Sequence, residues 1–207
     1  MKYEVRTSKV ENGTNGVVAM ANIIVEDKFA FNNIRLVHKP EEDKYAVYYP
    51  SRKTGNTDKH ESGYMNVFHP YTSELSKALR EAILTSYNTG ENQIVMNDTQ
   101  FELKVDVVPY EKEGESLLAF CNVRFSNENE FAINDITLRK TAEDKELMCM
   151  PSYKKKDDTY ANICNPITSE FREELNNAIM DSYKEAKSQN NERSATYEHK
   201  KTGKDSR

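Results

Sequence analysis

The sequence predicts an α+β protein made of two tandem domains, each an antiparallel sheet followed by a C-terminal amphipathic helix. The first observation is an internal repeat: residues 70–87 return as residues 166–183, and nine of the 18 aligned positions are identical. The second observation is that short strand-like runs separated by turn signals precede both copies. A period of about 100 residues is too long for a solenoid unit and matches a small domain.

Each copy of the repeated segment has the pattern of a capped amphipathic helix. Apolar residues recur at helical spacing along one face of both copies. They are Leu75, Leu79, Ala82 and Ile83 in the first copy, and Phe171, Leu175, Ala178 and Ile179 in the second. Thr72 or Ser73 is placed to cap the first helix, and Thr168 or Ser169 the second, because hydroxyl oxygens accept hydrogen bonds from the free N–H groups of a first turn.

The segments before each helix have the patterns of strands. Residues 103–107 alternate apolar and polar side chains, as a half-buried strand does. In the third predicted strand of the first repeat, the apolar positions change phase between Phe31 and Ile34. The same change occurs between Ile133 and Ile136 in the second repeat. This phase change predicts a β-bulge or a bend in both strands.

These elements divide the chain into four parts. The first repeat spans residues 1–88 and the second spans residues 101–187. Residues 89–100 form a linker, in which residues 94–96 are apolar enough to add a strand. Residues 188–207 contain almost no apolar side chains and are predicted to be a basic, disordered tail.

Composition limits the function classes. The formal net charge of −5 argues against a protein that coats nucleic acid indiscriminately, although it is compatible with a local basic patch. The longest apolar runs are far shorter than the roughly 20 residues that cross a bilayer, so no membrane association is expected. The first residues carry a carboxylate and do not resemble a signal peptide, and a cytoplasmic location is expected.

The three cysteines all lie in the second repeat. Their number is odd, their spacing fits no metal site, and apolar side chains or alanine replace them in the first repeat, so we expect buried thiols that pack as small hydrophobic groups. They are Cys121, Cys149 and Cys164, which align with Ala21, Tyr48 and Phe68.

No motif in the sequence indicates an enzyme. It has no phosphate-binding glycine loop, no Gly-x-Ser-x-Gly motif and no acidic cluster with metal-ligand spacing, so neither a cofactor nor a metal is expected. Lys140 and Asn165 replace His38 and His69 in the second repeat. A histidine before proline at a helix entry is more typical of a turn or cap hydrogen bond than of a catalytic base.

Three short motifs together resemble the SpoVG family, the stage V sporulation or septation protein G of bacteria. Residues 33–36 read Asn-Ile-Arg-Leu, residues 50–54 read Pro-Ser-Arg-Lys-Thr, and residues 69–73 read His-Pro-Tyr-Thr-Ser at the start of the helix. Each repeat resembles one full family domain. The resemblance implies a sheet-plus-helix domain that forms homodimers in single-domain members, so the fused chain is expected to be a pseudo-twofold intramolecular dimer.

The resemblance also implies a regulator that binds DNA or RNA and is associated with septation and sporulation. In this family, the basic residues after the Pro-Ser pair and on the helix are where nucleic acid is thought to bind. The corresponding residues are Arg52, Lys53, Lys77 and Arg80 in the first repeat, and Lys154, Lys155 and Arg172 in the second. Tyr153 replaces Arg52 in the second repeat, and Asn176 replaces Arg80, which predicts that the second half binds more weakly or chiefly completes the fold.

Two alternatives remain open at the level of sequence. The basic loops could be ordinary solvated loops, and the chain would then be a protein-interaction module in cell division or development, with an exposed sheet edge or acidic surface that recruits a protein partner. Tyrosines beside the basic loops could stack on single-stranded bases or could simply pack across strands. These are Tyr48, Tyr49, Tyr64, Tyr71 and Tyr153.

Overall fold

The chain forms two antiparallel sheets, two small hairpins and two helices in the computed structural model. The structure describes residues 1–54, 62–110, 112, 114–126 and 131–202, with side chains up to residue 190. Within these residues the α+β class and the order of strands followed by a helix, predicted for each repeat, are confirmed.

The two repeats contain matching elements. The first repeat and its linker comprise β1 (Lys2–Lys9), β2 (Val17–Val25), β3 (Phe29–Lys39), β4 (Lys44–Tyr48), β5 (Ser51–Lys53), β6 (Tyr64–Asn66), β7 (Phe68–Pro70), α1 (Ser73–Thr89) and β8 (Gln93–Met96). The second comprises β9 (Leu103–Pro109), β10 (Leu117–Phe125), β11 (Phe131–Lys140), β12 (Glu146–Cys149), β13 (Ser152–Lys154), β14 (Tyr160–Asn162), β15 (Cys164–Pro166) and α2 (Ser169–Thr202).

The repeats exchange one strand each. The first sheet has the order β8-β1-β2-β3, and both β4 and β15 pair with the far edge of β3. The second sheet has the order β9-β10-β11, and both β12 and β7 pair with β11. Because β7 belongs to the first repeat and β15 to the second, neither sheet is built from one repeat alone. This reciprocity is the arrangement expected of a pseudo-twofold dimer within one chain.

The exchanged strands are fixed by backbone hydrogen bonds at equivalent places. Phe68 of β7 lies opposite Ile133 of β11, and Cys164 of β15 lies opposite Phe31 of β3. Beside each exchanged strand, one further backbone hydrogen bond continues the pairing. Asn134 N–H donates to the Val67 carbonyl at 2.6 Å, and Asn32 N–H donates to the Ile163 carbonyl at 2.8 Å.

The two predicted β-bulges are present. The pairing of β2 with β3 shifts between Ala21 and Ile23, and the pairing of β10 with β11 shifts at the equivalent place. Asn33 and Asp135 occupy the bulges with φ angles of 63° and 70°. Asn and Asp tolerate this left-handed conformation better than other non-glycine residues. The bulges allow apolar residues on both sides of the phase change to face the core.

Aromatic rings from both repeats form one continuous core. The Phe31 and Phe131 ring centroids are 4.3 Å apart, and Phe29 and Phe125 are 5.2 Å apart. Phe68 reaches this cluster on the exchanged strand β7, with its ring centroid 4.7 Å from that of Phe31. The core therefore lies where the repeats meet.

The helices begin where the sequence predicts. Thr72 Oγ1 accepts a hydrogen bond from the Leu75 N–H, and Thr168 Oγ1 accepts one from the Phe171 N–H, both at 3.2 Å. The threonines, rather than the following serines, are thus the caps. Helix α1 packs against β1 and β8, and α2 packs against β9.

The linker adds strand β8 to the edge of β1, as residues 94–96 suggested. In the described part of the chain, β9 has no corresponding strand at its outer edge. Tyr3 and Val5 of β1 are fully buried, whereas Leu103 and Val105 of β9 are only half-buried. The two halves therefore differ in how completely their first strand is covered.

The tail differs from its prediction. Disorder was expected from residue 188 onward, but α2 continues to Thr202. The physical reason is local: residues 188–202 lack glycine and proline, and they include two glutamates, two lysines, one arginine, one alanine and one glutamine, which favour helix.

Cys121 and Cys164 are buried as expected, and burial raises the pKa of both thiols, that of Cys121 to about 11. Cys149 is only half-buried, so the prediction of burial is wrong for this residue, which lies near the outer edge of the sheet on β12. Among the described residues, no His, Cys, Asp and Glu cluster could hold a metal ion. None of the helices in the same residues is long and apolar enough to cross a membrane.

The shared core generates a prediction about folding. Phe31→Ala should lower the free energy of unfolding by about 3–5 kcal/mol, since it leaves a cavity among rings from both repeats. Urea unfolding followed by circular dichroism should show one cooperative transition in the wild type and the variant. Tyr160→Ala, at an exposed position, is the control and should change little. Two separate transitions would contradict a shared core.

Candidate nucleic-acid interface

The structure places the seven candidate basic residues on four elements. Arg52 and Lys53 lie on β5, Lys154 on β13 with Lys155 just after it, Lys77 and Arg80 on α1, and Arg172 on α2. All seven side chains are at the surface. Their partners nevertheless differ, and the partners decide which of these cations could contact a phosphate.

Arg52 is engaged with the other repeat. Its Nε and Nη2 atoms donate to the two carboxylate oxygens of Asp135. The Asp135 side chain is 16% exposed and sits on the bulge of β11, while Arg52 is 47% exposed. A paired, two-point contact of this kind fixes the guanidinium in position. Arg52 therefore ties the β5–β6 hairpin to the opposite sheet and would have to leave Asp135 to bind a phosphate.

This ion pair has no counterpart in the other half. Tyr153 stands where the first repeat has Arg52, and Asn33 stands where the second has Asp135. The pseudo-twofold arrangement thus contains the charge pair once. The sequence could not reveal it, because Arg52 and Asp135 are 83 residues apart and only the strand exchange brings them together.

A basic cluster accompanies helix α1. Arg80 Nη2 donates to the Tyr45 carbonyl oxygen at 3.0 Å, which holds the guanidinium beside β4. Arg80 lines a cavity of about 370 Å³ together with Lys39 and Lys44. Glu42 also lines it and lies 3.6 Å from the Lys39 ammonium and 3.7 Å from that of Lys44. Lys39 and Lys44 were not predicted, since their positions flank a turn rather than follow the Pro-Ser motif.

The equivalent region of α2 is less basic. Arg172 lines a cavity of about 280 Å³ with Glu173 and Asn176, and Leu147 and Met148 form its other wall. Asn176 occupies the place of Arg80. The cavity beside α2 is therefore lined by one cation and one carboxylate, whereas the cavity beside α1 is lined by three cations and one carboxylate.

The two hairpins carry a similar surface pair. On β5–β6, Lys53 lies directly opposite Tyr64, and on β13–β14, Lys154 lies directly opposite Tyr160. The tyrosines are 55% and 68% exposed. Lys154 also contacts Asp158 at 2.5 Å, whereas Lys53 has no ion pair with any described residue.

The tyrosines near the basic loops divide into two groups. Tyr49 is half-buried and packs edge-on against Phe68 with ring centroids 5.9 Å apart, and burial raises the pKa of its hydroxyl. The other four are 41–55% exposed, so each presents part of its side chain to solvent, although Tyr48 also packs across the strands against Arg35, whose Cζ lies 6.0 Å from the ring centroid. These are Tyr48, Tyr64, Tyr71 and Tyr153.

A cleft of about 490 Å³ lies beneath the β5–β6 hairpin. Tyr64, His69, Tyr71 and Asn134 are among the residues that line it. The rings of His69 and Tyr71 stack with centroids 4.7 Å apart and planes 30° apart. The Nδ1 atom of His69 is shielded from solvent and has no hydrogen-bond partner in the described structure, and burial lowers the pKa of this imidazole.

The position of His69 predicts a pH effect. Because the folded-state pKa is lowered, protonation favours the unfolded chain, so stability present above the ordinary pKa of about 6.5 is lost as the pH falls through the folded-state pKa. His69→Asn, which introduces the residue found at the equivalent position 165, should reduce the stability lost between neutral and mildly acidic pH. Urea unfolding at pH 7 and pH 5 measures this. Equal losses in wild type and variant would contradict it.

The ion pair predicts a stability effect. Asp135→Asn should lower the free energy of unfolding by roughly 1 kcal/mol, because it removes the charge from a partly exposed pair while asparagine still tolerates the left-handed bulge. Asn33→Asp is the matched control at the other bulge, where no arginine stands opposite, and should not stabilise the chain. Chemical denaturation at neutral pH would detect both changes. If Asp135→Asn is as stable as the wild type, the ion pair does not stabilise the fold.

Comparison with known proteins agrees with this architecture. The sequence profile of the SpoVG family matches residues 1–89 and 101–185. The protein named "Putative septation protein SpoVG" in Treponema denticola is 33% identical over 84 residues, which cover 41% of this chain and 82% of that protein. Proteins of the same name in two strains of Clostridium perfringens are 35% identical over 60 residues, which cover 29% of this chain and 66% of theirs. No solved structure matches. The chain belongs to the SpoVG family and contains two tandem copies of the family domain.

Proposed function

We propose that this chain is a nucleic-acid-binding regulator with a role in septation, and that it acts by occupying DNA or RNA rather than by catalysing a reaction. The observation that carries this proposal is the exposed lysine–tyrosine pair that recurs on both hairpins. The role in septation rests on the names of the relatives, and a wider role in sporulation rests on the family resemblance alone.

The paired side chains suit single-stranded nucleic acid. A lysine ammonium neutralises a backbone phosphate, and a tyrosine ring beside it offers a surface on which a base can stack. Base stacking on an aromatic side chain contributes about 1–3 kcal/mol for each base. Each hairpin would supply one such contact point. Duplex DNA would use mainly the lysines, since its bases are already stacked.

The first repeat is the stronger half of the proposed surface. Lys53 has no ion pair among the described residues, and α1 adds Lys77 and Arg80. Lys39 and Lys44 lie beside Arg80, although both are within ion-pair distance of Glu42. In the second repeat, Lys154 is already paired with Asp158. Arg52 could contact a phosphate only after its ion pair with Asp135 is broken.

The second candidate function is a protein-interaction module. The outer edge of β9 favours this function, because no described strand pairs with it. Leu103 and Val105 of the same strand are also only half-buried. An extended segment of a partner protein could add to such an edge. This reading would require no contribution from the hairpin lysines.

Nucleic-acid binding can be measured by fluorescence anisotropy with duplex DNA, single-stranded DNA and RNA at several salt concentrations. Lys53→Ala/Lys154→Ala should weaken binding to all three and reduce the slope of log affinity against log salt by about 1.4–1.8, since two phosphate contacts are lost. Asp135→Asn should strengthen binding, because it releases Arg52. Lys145→Ala/Lys184→Ala, which removes two exposed lysines outside the hairpins, is the charge-matched control.

A chain truncated after Ala186 tests the basic tail. It should retain the effect of the double substitution, because the hairpins are still present. Failure of the wild type to bind any of the three nucleic acids at low salt would refute the proposed function, and so would binding that disappears with the tail alone. A partner that binds through the edge of β9 would then be the better explanation.

A further inference from the structure

The cleft beneath the β5–β6 hairpin has the size and lining of a small-ligand site. Its volume of about 490 Å³ is within the usual range for such sites. The walls combine two exposed aromatic rings, Tyr64 and Tyr71, with the imidazole of His69 and the polar groups of Ser51 and Asn134. A flat aromatic ligand with hydrogen-bonding edges fits this lining best.

The stacked rings of His69 and Tyr71 form one wall of the cleft. His69 covers one face of the Tyr71 ring, with centroids 4.7 Å apart, yet Tyr71 remains 55% exposed. The backbone of His69 is fixed in strand β7, where it lies opposite Ala132 of β11. The Tyr71 ring therefore stacks on a side chain that a sheet strand carries, while it still presents surface to a further planar group. Preorganisation of this kind reduces the entropy that binding would cost.

Polar groups are available at the edge of the same cleft. The Asn134 side-chain amide donates to the Asn66 carbonyl oxygen at 2.9 Å, which fixes its orientation. Its Oδ1 atom accepts no hydrogen bond from the described residues and is left as an acceptor for an exocyclic amino group. The Ser51 hydroxyl, which can donate or accept, lies on the same lining.

The equivalent position in the second repeat lacks these features. Asn165 replaces His69, and Ile167 replaces Tyr71, so no ring stack is present there. The Asn165 amide is already satisfied: its Oδ1 accepts from Asn32 Nδ2 at 3.3 Å, and its Nδ2 donates to the Pro166 carbonyl oxygen at 3.0 Å. The ring stack is therefore a feature of the first repeat and is not repeated by the pseudo-twofold symmetry.

We propose that this cleft binds one unpaired nucleobase of a single-stranded DNA or RNA, stacked against Tyr71, with Asn134 and Ser51 at its hydrogen-bonding edge. The inference rests on the proposed function and assigns to the first repeat a base site that the second repeat does not have. Lys53 lies directly opposite Tyr64, one of the residues that line the cleft, and is the cation proposed to contact the adjacent phosphate. A base inside a duplex cannot enter, because both of its faces are covered by its neighbours.

The test compares Tyr71→Ala with Ile167→Ala, its matched control in the second repeat. The probes are single-stranded DNAs and RNAs of one sequence in which 2-aminopurine occupies a different position in each strand, and a matching set in which the same positions are abasic. Tyr71→Ala should weaken binding of intact strands about tenfold and leave the salt slope unchanged, since it removes stacking and not charge. Tyr71→Phe should bind as the wild type does.

Fluorescence identifies the base contact directly. Binding to the wild type should quench 2-aminopurine at one position, Tyr71→Ala should lose this quenching, and Ile167→Ala should keep it. Thermal unfolding of each variant checks the fold, which an exposed side chain should not affect. The DNA and RNA arms show which backbone the cleft accepts.

The possible outcomes distinguish failure of the base site from failure of the proposed function. If the wild type binds single strands and Tyr71→Ala binds equally well with the same quenching, the base site is refuted and the proposed function stands. Equal affinity of the wild type for intact and abasic strands at every position would refute it as well. If the wild type binds no nucleic acid, the proposed function fails first and the base site fails with it.

Discussion

The reciprocal exchange of β7 and β15 is the constraint on which the rest of the structure depends. It places each helix after a strand that belongs to the opposite sheet, and it brings Phe68 into contact with rings of both repeats. It also fixes the hairpins that precede these strands. The candidate surface is therefore a product of the exchange, since the same local sequences in separate domains would meet different neighbours.

The β-bulges are the second determinant of the site. A regular strand would alternate its side chains strictly, so the residues on either side of Asn33 or Asp135 could not all face the core. The extra residue restores the apolar pattern and leaves one polar side chain at the surface in each half. In the second repeat that side chain is the carboxylate that holds Arg52. The bulge that core packing requires thus also places the carboxylate that pairs with Arg52.

Local features of the fold were predictable from the sequence because their causes are local. Helix caps at Thr72 and Thr168, the phase change at the bulges and the strand in the linker all follow from the chemistry of neighbouring residues. A pseudo-twofold dimer within one chain was expected, but the exchange of β7 and β15 was not predicted, since a period of two identifies a strand without identifying the strand it pairs with. The Arg52–Asp135 pair and the half-buried position of Cys149 depend on that partner, so no local pattern contained them.

The same limit applies to the candidate site. The sequence offered the basic residues as candidates and ranked the two repeats, but it could not show the partner of each cation. Arg52 is paired with Asp135 and Lys154 with Asp158, whereas Lys53 has no ion pair with any described residue. The cleft was missed because its walls come from β5, β6, β7 and β11, which lie in two different repeats. His69 and Tyr71 offered a signal, an aromatic pair absent from the sister repeat, but only the fold shows that it faces a cavity.

The presence of both halves in one chain changes how such a protein can diverge. In a dimer of identical chains every side chain occurs twice, so a substitution that improves one surface is imposed on the other as well. Here Arg52, Asp135, His69 and Tyr71 each occur once, opposite a different residue at the equivalent place. With two copies of the family domain in one chain, equivalent positions can therefore carry different residues, and a change at the surface of one half need not be repeated in the other.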